Sequence, residues 1–174
     1  MPCHVLGHPE LDDDVLSFDV LGRPATAGSK KAIAIKRKGE FTGKVAVIDD
    51  ARRGKPWREA VQAAAIHAVA DQMPRGAQDG SWFGGGALLL TVVFFLRRPK
   101  SHFGTGRNAR QLKPSAPRYP TTTPDCTKMI RAVEDALTGV IWRDDAQVVQ
   151  TLAVKSYTDF DEPEHALVSI KEAA

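Results

Sequence analysis

At 174 residues, with 43% apolar and 26% charged side chains, the chain has the composition of an ordinary soluble globular protein and the length of one domain. Two cysteines, Cys3 and Cys126, exclude a disulfide framework and a cysteine-based metal motif. The longest apolar run, Ala87–Leu96, excludes a helix able to cross a bilayer. The net charge of +3 decides little by itself; with no basic-then-apolar leader at the start, the expectation is a cytoplasmic protein in a reducing compartment.

Residues 1–14 are polar, end in three successive acids, and are expected to form a flexible tail ahead of one folded domain over residues 15–174. Val15–Leu21 alternates Leu16, Phe18 and Val20 against Ser17 and Asp19, the period of a half-buried strand. A turn-rich loop, Gly22–Lys31, leads to two short expected strands, 32–35 and 45–48, joined around Gly39 and Gly43. Lys55-Pro56-Trp57 opens a helix running to about Gln72, since proline suits a first helical turn and the interior is rich in alanine. Trp57, Val61, Ala65, Ala68 and Val69 recur at spacings of three and four and give it one core-facing stripe. His67 has no second ligand at metal spacing and reads as a satisfied or exposed histidine.

A glycine-rich connection, Gly76–Gly86, precedes the continuous β-prone run 87–96, expected to be a central strand covered on both faces. Residues 101–123 form a long irregular stretch expected to be a mobile loop, of a kind usually kept for function. A second helix is expected from Thr123-Pro124-Asp125, with threonine as N-cap, proline at the first position and aspartate in the first turn. Gly139 is its C-terminal stop. Two last strands, 148–158 and 165–171, read as a hairpin around Asp161–Glu164. The order predicts an α+β domain with two helices against one face of a mixed sheet.

Charge is distributed unevenly. Arg97, Arg98, Lys100, Arg107, Arg110, Lys113, Arg118, Lys128 and Arg131 are opposed between positions 97 and 131 only by Asp125, a local charge of about +8 that leaves about −5 elsewhere. Such concentration suits a phosphate-backbone binder, although a block of charge is also the composition of a solvated loop without a ligand.

Carboxylates stand within and just after this segment. On the second helix Met129, Ile130, Val133, Ala136 and Leu137 share an apolar face; Lys128, Arg131 and Asp135 fall on the other, with Asp125 near the boundary. Trp142 can anchor the following turn and hold Asp144 and Asp145 near the head of the next strand. Mg²⁺ takes one or two carboxylates plus waters and substrate phosphates, and can polarise a phosphodiester and activate water. Each acid also has a plain structural reading: Asp125 complementing a helix dipole, Asp135 paired with Arg131, Asp144-Asp145 as ordinary turn residues.

The segment Asp135–Val149, DALTGVIWRDDAQVV, resembles the corresponding segment of RusA-type Holliday junction resolvases, and Pro124-Asp125-x-x-Lys128-x-x-Arg131-Ala-Val resembles that family's helix start. The likeness is specific over about 123–154, extends in order of elements from Leu88 to the C-terminus, and is loose before that. It implies a RusA-like α+β homodimer that nicks four-way DNA junctions symmetrically with Mg²⁺, Mn²⁺ being a possible substitute. It also implies metal ligands Asp125, Asp144 and Asp145, and catalytic residues Asp125, Asp145, Arg131 and Lys128. The DNA contacts would come from Arg97, Arg98, Lys100, Arg107, Arg110, Lys113 and Arg118. Two positions depart from the pattern: Thr127 stands where the family has a second aspartate, and Arg131 where it has a lysine. Threonine brings no charge, and arginine at its pKa exchanges no proton. A non-catalytic branched-DNA binding protein on the same fold, or a nuclease for single strands or flaps, are the other functions this pattern allows. No membrane is implied as a partner.

Overall fold

A computed structural model of the chain describes residues 15–27, 30–37, 40–49, 54–72, 83 and 85–173. The expected tail 1–14 with Cys3, and most of the glycine-rich connection, lie outside them. Among the described residues six strands and two α-helices follow in the order β1 (Val15–Leu21), β2 (Lys30–Arg37), β3 (Glu40–Asp49), α1 (Gly54–Gln72), β4 (Leu88–Leu96), α2 (Cys126–Leu137), β5 (Val148–Tyr157), β6 (His165–Glu172).

β1, β6, β4 and β5 form one mixed sheet in that spatial order, with β4 parallel to β5 and antiparallel to β6. Alternation builds the core face. Leu16, Phe18 and Val20 of β1, Leu88, Leu90, Val92, Phe94 and Leu96 of β4, and Ala166, Val168 and Ile170 of β6 are all buried on the same side. Both helices pack there. α1 contributes Trp57, Val61, Ala65 and Ala68, with Val69 half-buried; α2 contributes Met129, Ile130, Val133, Ala136 and Leu137, the apolar face its sequence predicts, with Ala132 beside them. The expected α+β arrangement, two helices on one face of a mixed sheet, is what the chain adopts. His67 is exposed.

Four expectations need correction. The last two strands are not a hairpin: β4 lies between β5 and β6 and pairs with both. A run as apolar as Leu88–Leu96 belongs at the centre of a sheet, where both its edges are paired, and this displaces the direct pairing. That strand is not covered equally on its two faces either. Leu89, Thr91, Val93 and Phe95 are only half-buried, because both helices lie on the other side.

Third, Gly43 does not join β2 to β3. It lies inside β3 with φ +74°, where the register slips between Ala34 and Lys36, and the Thr42 hydroxyl donates to the Ile35 carbonyl at 2.7 Å. A positive-φ glycine inside a strand marks a bulge. These two strands form a separate two-stranded sheet longer at both ends than expected.

Fourth, α2 starts later than its sequence suggests. The Thr123–Pro124 bond is cis, Asp125 at ψ 133° is the N-cap residue, and the helix proper begins at Cys126. The end is as expected: the backbone leaves the helix at Thr138 and Gly139 takes φ +80°.

The segment after β4 is not structureless. Residues 100–102 and 106–108 form single 3-10 turns. Phe103 bridges to Leu112, Gly104 N–H donates to the Gln111 carbonyl at 2.9 Å, and Lys113 N–H donates to the His102 carbonyl at 2.9 Å.

Candidate active site

α2 and the beginning of β5 enclose a groove of about 570 Å³. The helix supplies Thr127, Arg131 and Glu134, which share one stripe at spacings of four and three, with Asp135 beside them. Asp145 reaches the groove from the turn before β5, and Thr151 and Ala153 form its wall on that strand. Cys126 and Ile130 complete it. Three carboxylates and one guanidinium thus face a common space at the surface.

The floor is held by a few specific bonds. Thr151 donates its hydroxyl to Glu134 Oε1 at 2.9 Å, tying the last turn of α2 to β5. Lys155, half-buried on β5, donates to the carbonyls of Thr122 and Pro124 at 2.8 and 3.1 Å and so fixes the chain as it turns into α2. At the other end Trp142, 2% exposed, donates its indole N–H to the Thr138 hydroxyl at 3.1 Å, and Gly139 N–H donates to the Trp142 carbonyl at 2.7 Å. This closed turn delivers Arg143, Asp144 and Asp145 to the surface.

Of the acids expected to form the site, Asp145 lies in the groove. Asp144 engages one oxygen locally: Oδ1 accepts from Ala146 N–H at 2.9 Å, in a capping box completed by Gln147. Asp125 is not among the groove-lining residues. Its Oδ2 stands 3.4 Å from Lys128 Nζ, and both side chains are exposed. Arg131 lines the groove as expected; Lys128 does not. Glu134 was missed by reasoning from sequence, although its spacing from Thr127 and Arg131 was the available signal.

Cys126 has its thiol pKa raised, by burial first, against which the nearby Lys155 ammonium pulls down. Burial prevails, so the thiol is held in its protonated form near neutral pH.

The donor set also decides how a divalent ion would be held. Among the described residues no group of three His, Cys, Asp or Glu side chains is placed to hold a metal ion. A closed site of the kind that retains zinc is therefore not built from them. Mg²⁺ asks for less, one or two carboxylates with water and substrate phosphate making up the rest, and Asp135 and Asp145 offer that minimum.

The basic residues divide into two groups. Arg98 stacks over the Tyr157 ring at 4.0 Å and donates to the Pro117 carbonyl at 2.7 Å; Lys113 Nζ donates to the Ser101 carbonyl at 2.8 Å. Arg110 lies over Phe160 at 5.1 Å and pairs with Asp161 at 3.9 Å, and Arg118 lies over Tyr119 at 5.4 Å. Arg97, Lys100 and Arg107 make no ion pair among the described residues.

The family model described as Endodeoxyribonuclease RusA matches residues 29–164, a span that takes in both helices, the groove and the basic segment. The chain belongs to the RusA endodeoxyribonuclease family. Membership implies a nuclease of the Holliday-junction-resolving kind, with branched DNA as substrate. No curated protein matches the chain. Among the described residues, no helix is long and apolar enough to cross a membrane.

Proposed function

We propose that this protein is a Mg²⁺-dependent, structure-selective DNA endonuclease that resolves four-way junctions by paired symmetric hydrolysis. The observation that carries this reading is Arg131 sharing one groove with Asp135 and Asp145, inside the span that matches the family. Arg131, always charged, grips the scissile phosphate and neutralises charge as the phosphorus becomes five-coordinate. Asp135 and Asp145 accept hydrogen bonds from the attacking water and orient it. Asp135 and Asp145, with the substrate's phosphate, would hold Mg²⁺, or Mn²⁺ in its stead, which when bound would supply the charge that acidifies water and polarises the phosphodiester. Asp125 is paired with Lys128, and Asp144 caps the turn that carries Asp145, each engaged within the chain. Arg97, Lys100 and Arg107 hold the arms through phosphate contacts.

Paired cuts need two active sites, and a two-fold homodimer supplies them symmetrically. What supports a second copy is the sheet face away from the helices. Leu89, Val93 and Phe95 are half-buried there, and Leu152 on the same face is 51% exposed.

A synthetic four-way junction tests the reading. Paired nicks are expected with Mg²⁺, and Asp145→Asn should abolish them while junction binding survives in a gel shift. Binding without cleavage at any Mg²⁺ or Mn²⁺ concentration overturns the proposal in favour of a non-catalytic junction binder, the outcome Thr127 would favour.

A further inference from the structure

A second cleft, of about 770 Å³, opens where β4 and β5 end side by side, and it shares no lining residue with the acidic groove. Arg97, Arg98 and Lys100 leave β4 along one wall, Thr158–Asp161 leave β5 along another, and Phe103–Gly106 form a third. We propose that this cleft is a nucleobase subsite that takes one unstacked nucleotide of the DNA substrate at a branch point. The inference rests on the DNA-acting reading above and names what the basic segment recognises.

The lining chemistry points to a base. Phe103 and Phe160 stand edge to face, 5.1 Å between centroids at 89°, and Phe160 is 50% exposed, so aromatic surface is accessible in the cleft. The Arg110 guanidinium lies over the same ring at 5.1 Å. Aromatic faces beside arginines are how proteins hold unpaired bases irrespective of sequence. A phosphate alone would gain nothing from two phenylalanines, and the carboxylates of Asp159 and Asp161 on the same lining repel one. The Asp159 carboxylate, and the Asp161 oxygen not paired with Arg110, can accept N–H bonds from an exocyclic amine, which adenine, cytosine and guanine carry and thymine lacks. Arg97 and Lys100, without an ion pair among the described residues, remain for the flanking phosphates. The volume, about 770 Å³, is in the range of pockets that hold a single small ligand.

The cleft is also rigidly constructed. A Cβ on Gly104 would stand 2.7 Å from the Asn108 carbonyl oxygen, a contact only glycine avoids, and Gly106 turns the chain at φ +59°. Behind the wall Arg98 is fixed between Tyr157 and the Pro117 carbonyl, and His102 meets Tyr157 edge-on at 5.7 Å. A preformed aromatic cleft spares the ordering that a loose loop would undergo on binding. Branched DNA offers what fully paired duplex does not, a base at the crossing that can leave its stack.

The test uses the full-length protein with three DNAs: a four-way junction carrying 2-aminopurine at the branch point, a duplex of the same arms, and a single-stranded oligonucleotide with one 2-aminopurine. The wild-type protein is expected to change the 2-aminopurine fluorescence of the junction and the single strand but not of the duplex. Phe160→Ala should abolish that change and weaken single-strand and junction binding about tenfold, with duplex binding unaltered, while Phe160→Tyr preserves both. Equal effects of Phe160→Ala on all three DNAs overturn the subsite even if the junction is cleaved. Phe160-dependent single-strand binding without any junction cleavage supports the subsite and overturns the resolvase reading instead. Circular dichroism confirms that each variant is folded, and Phe103→Ala gives a second readout should Phe160→Ala misfold.

Discussion

The Lys128 ammonium stands 3.4 Å from the Asp125 carboxylate three residues back, so the aspartate that opens the family-like helix start carries its counter-ion with it. Both side chains are more than half exposed, and a pair of this kind contributes at most about 1 kcal/mol to stability. Its consequence is functional. On the proposed reading, the lysine competes with a divalent cation for the Asp125 carboxylate. Lys128→Met is expected to move the melting temperature by no more than about 4 °C and to lower the Mg²⁺ concentration for half-maximal junction nicking. A Mg²⁺ titration checks this, and an unchanged or higher requirement would show that Lys128 serves the substrate rather than restraining the acid.

Thr127 faces the groove where a further carboxylate would join Asp135 and Asp145. Thr127→Asp is expected to raise nicking at limiting Mg²⁺ by about tenfold or more, the scale on which changes around a bound metal alter activity. The new acid sits in the first turn of α2, where an anion is favoured by roughly 0.3–1 kcal/mol, so gain of activity will not be masked by loss of fold. Activity equal to the wild type at every Mg²⁺ concentration would mean that the native site lacks nothing at this position.

How much of this was legible in the sequence depended on whether the deciding interaction was local. The apolar stripe from Met129 to Leu137 and the glycine stop at 139 are set by residues within a turn or two of one another, and both stand as expected. The pairing of β4 with both β5 and β6 is a competition among distant strands for one apolar partner, and adjacency in sequence pointed wrongly to a hairpin. Asp145 and Arg131, named from the family resemblance, both line the groove. The local engagements of Asp144 with Ala146 N–H and of Asp125 with Lys128 depend on side-chain geometry that no spacing rule contains. The order after β4 rests on ring and guanidinium contacts with Tyr157 and Phe160, more than forty residues away.

Trp142 couples fold to site. Removing its indole through Trp142→Ala empties a fully buried position at the turn and is expected to cost about 3–5 kcal/mol. Trp142→Phe keeps most of the packing, loses the bond to Thr138 Oγ1, and should cost about 1–2 kcal/mol. Because the same turn presents Asp145, the phenylalanine variant is expected to lose nicking activity at temperatures where urea titration shows it fully folded. Activity retained in proportion to the folded fraction would mean that the turn supports stability alone.

Burial raises the Cys126 thiol pKa, and the sign of its pH effects follows. The folded chain holds this proton more tightly than the unfolded one. Its contribution to stability is therefore complete below the unfolded thiol's pKa and is lost as pH rises through the higher folded value. In a Cys3→Ser background, iodoacetamide labelling of the native protein should rise at a more alkaline pH than labelling in urea. Lys155→Met removes a nearby charge that lowers this pKa and should push the labelling profile further up. It also removes two bonds to the segment leading into α2. A profile matching the denatured chain would place Cys126 in water.

The two classes of basic residue should separate in salt. Each phosphate contact releases counter-ions, so losing one lowers the slope of log affinity against log salt by about one. Arg97→Ala, Lys100→Ala and Arg107→Ala are each expected to flatten the slope for duplex and junction alike, with little change in urea stability, since none is tied into an ion pair among the described residues. Arg98→Ala should behave in the opposite way. Its guanidinium is spent on the Tyr157 ring and the Pro117 carbonyl, so the slope holds while stability falls by about 1–3 kcal/mol. Should Arg98→Ala flatten the slope as much as Arg97→Ala, its charge is shared with phosphate after all, and the wall it braces is also a DNA contact.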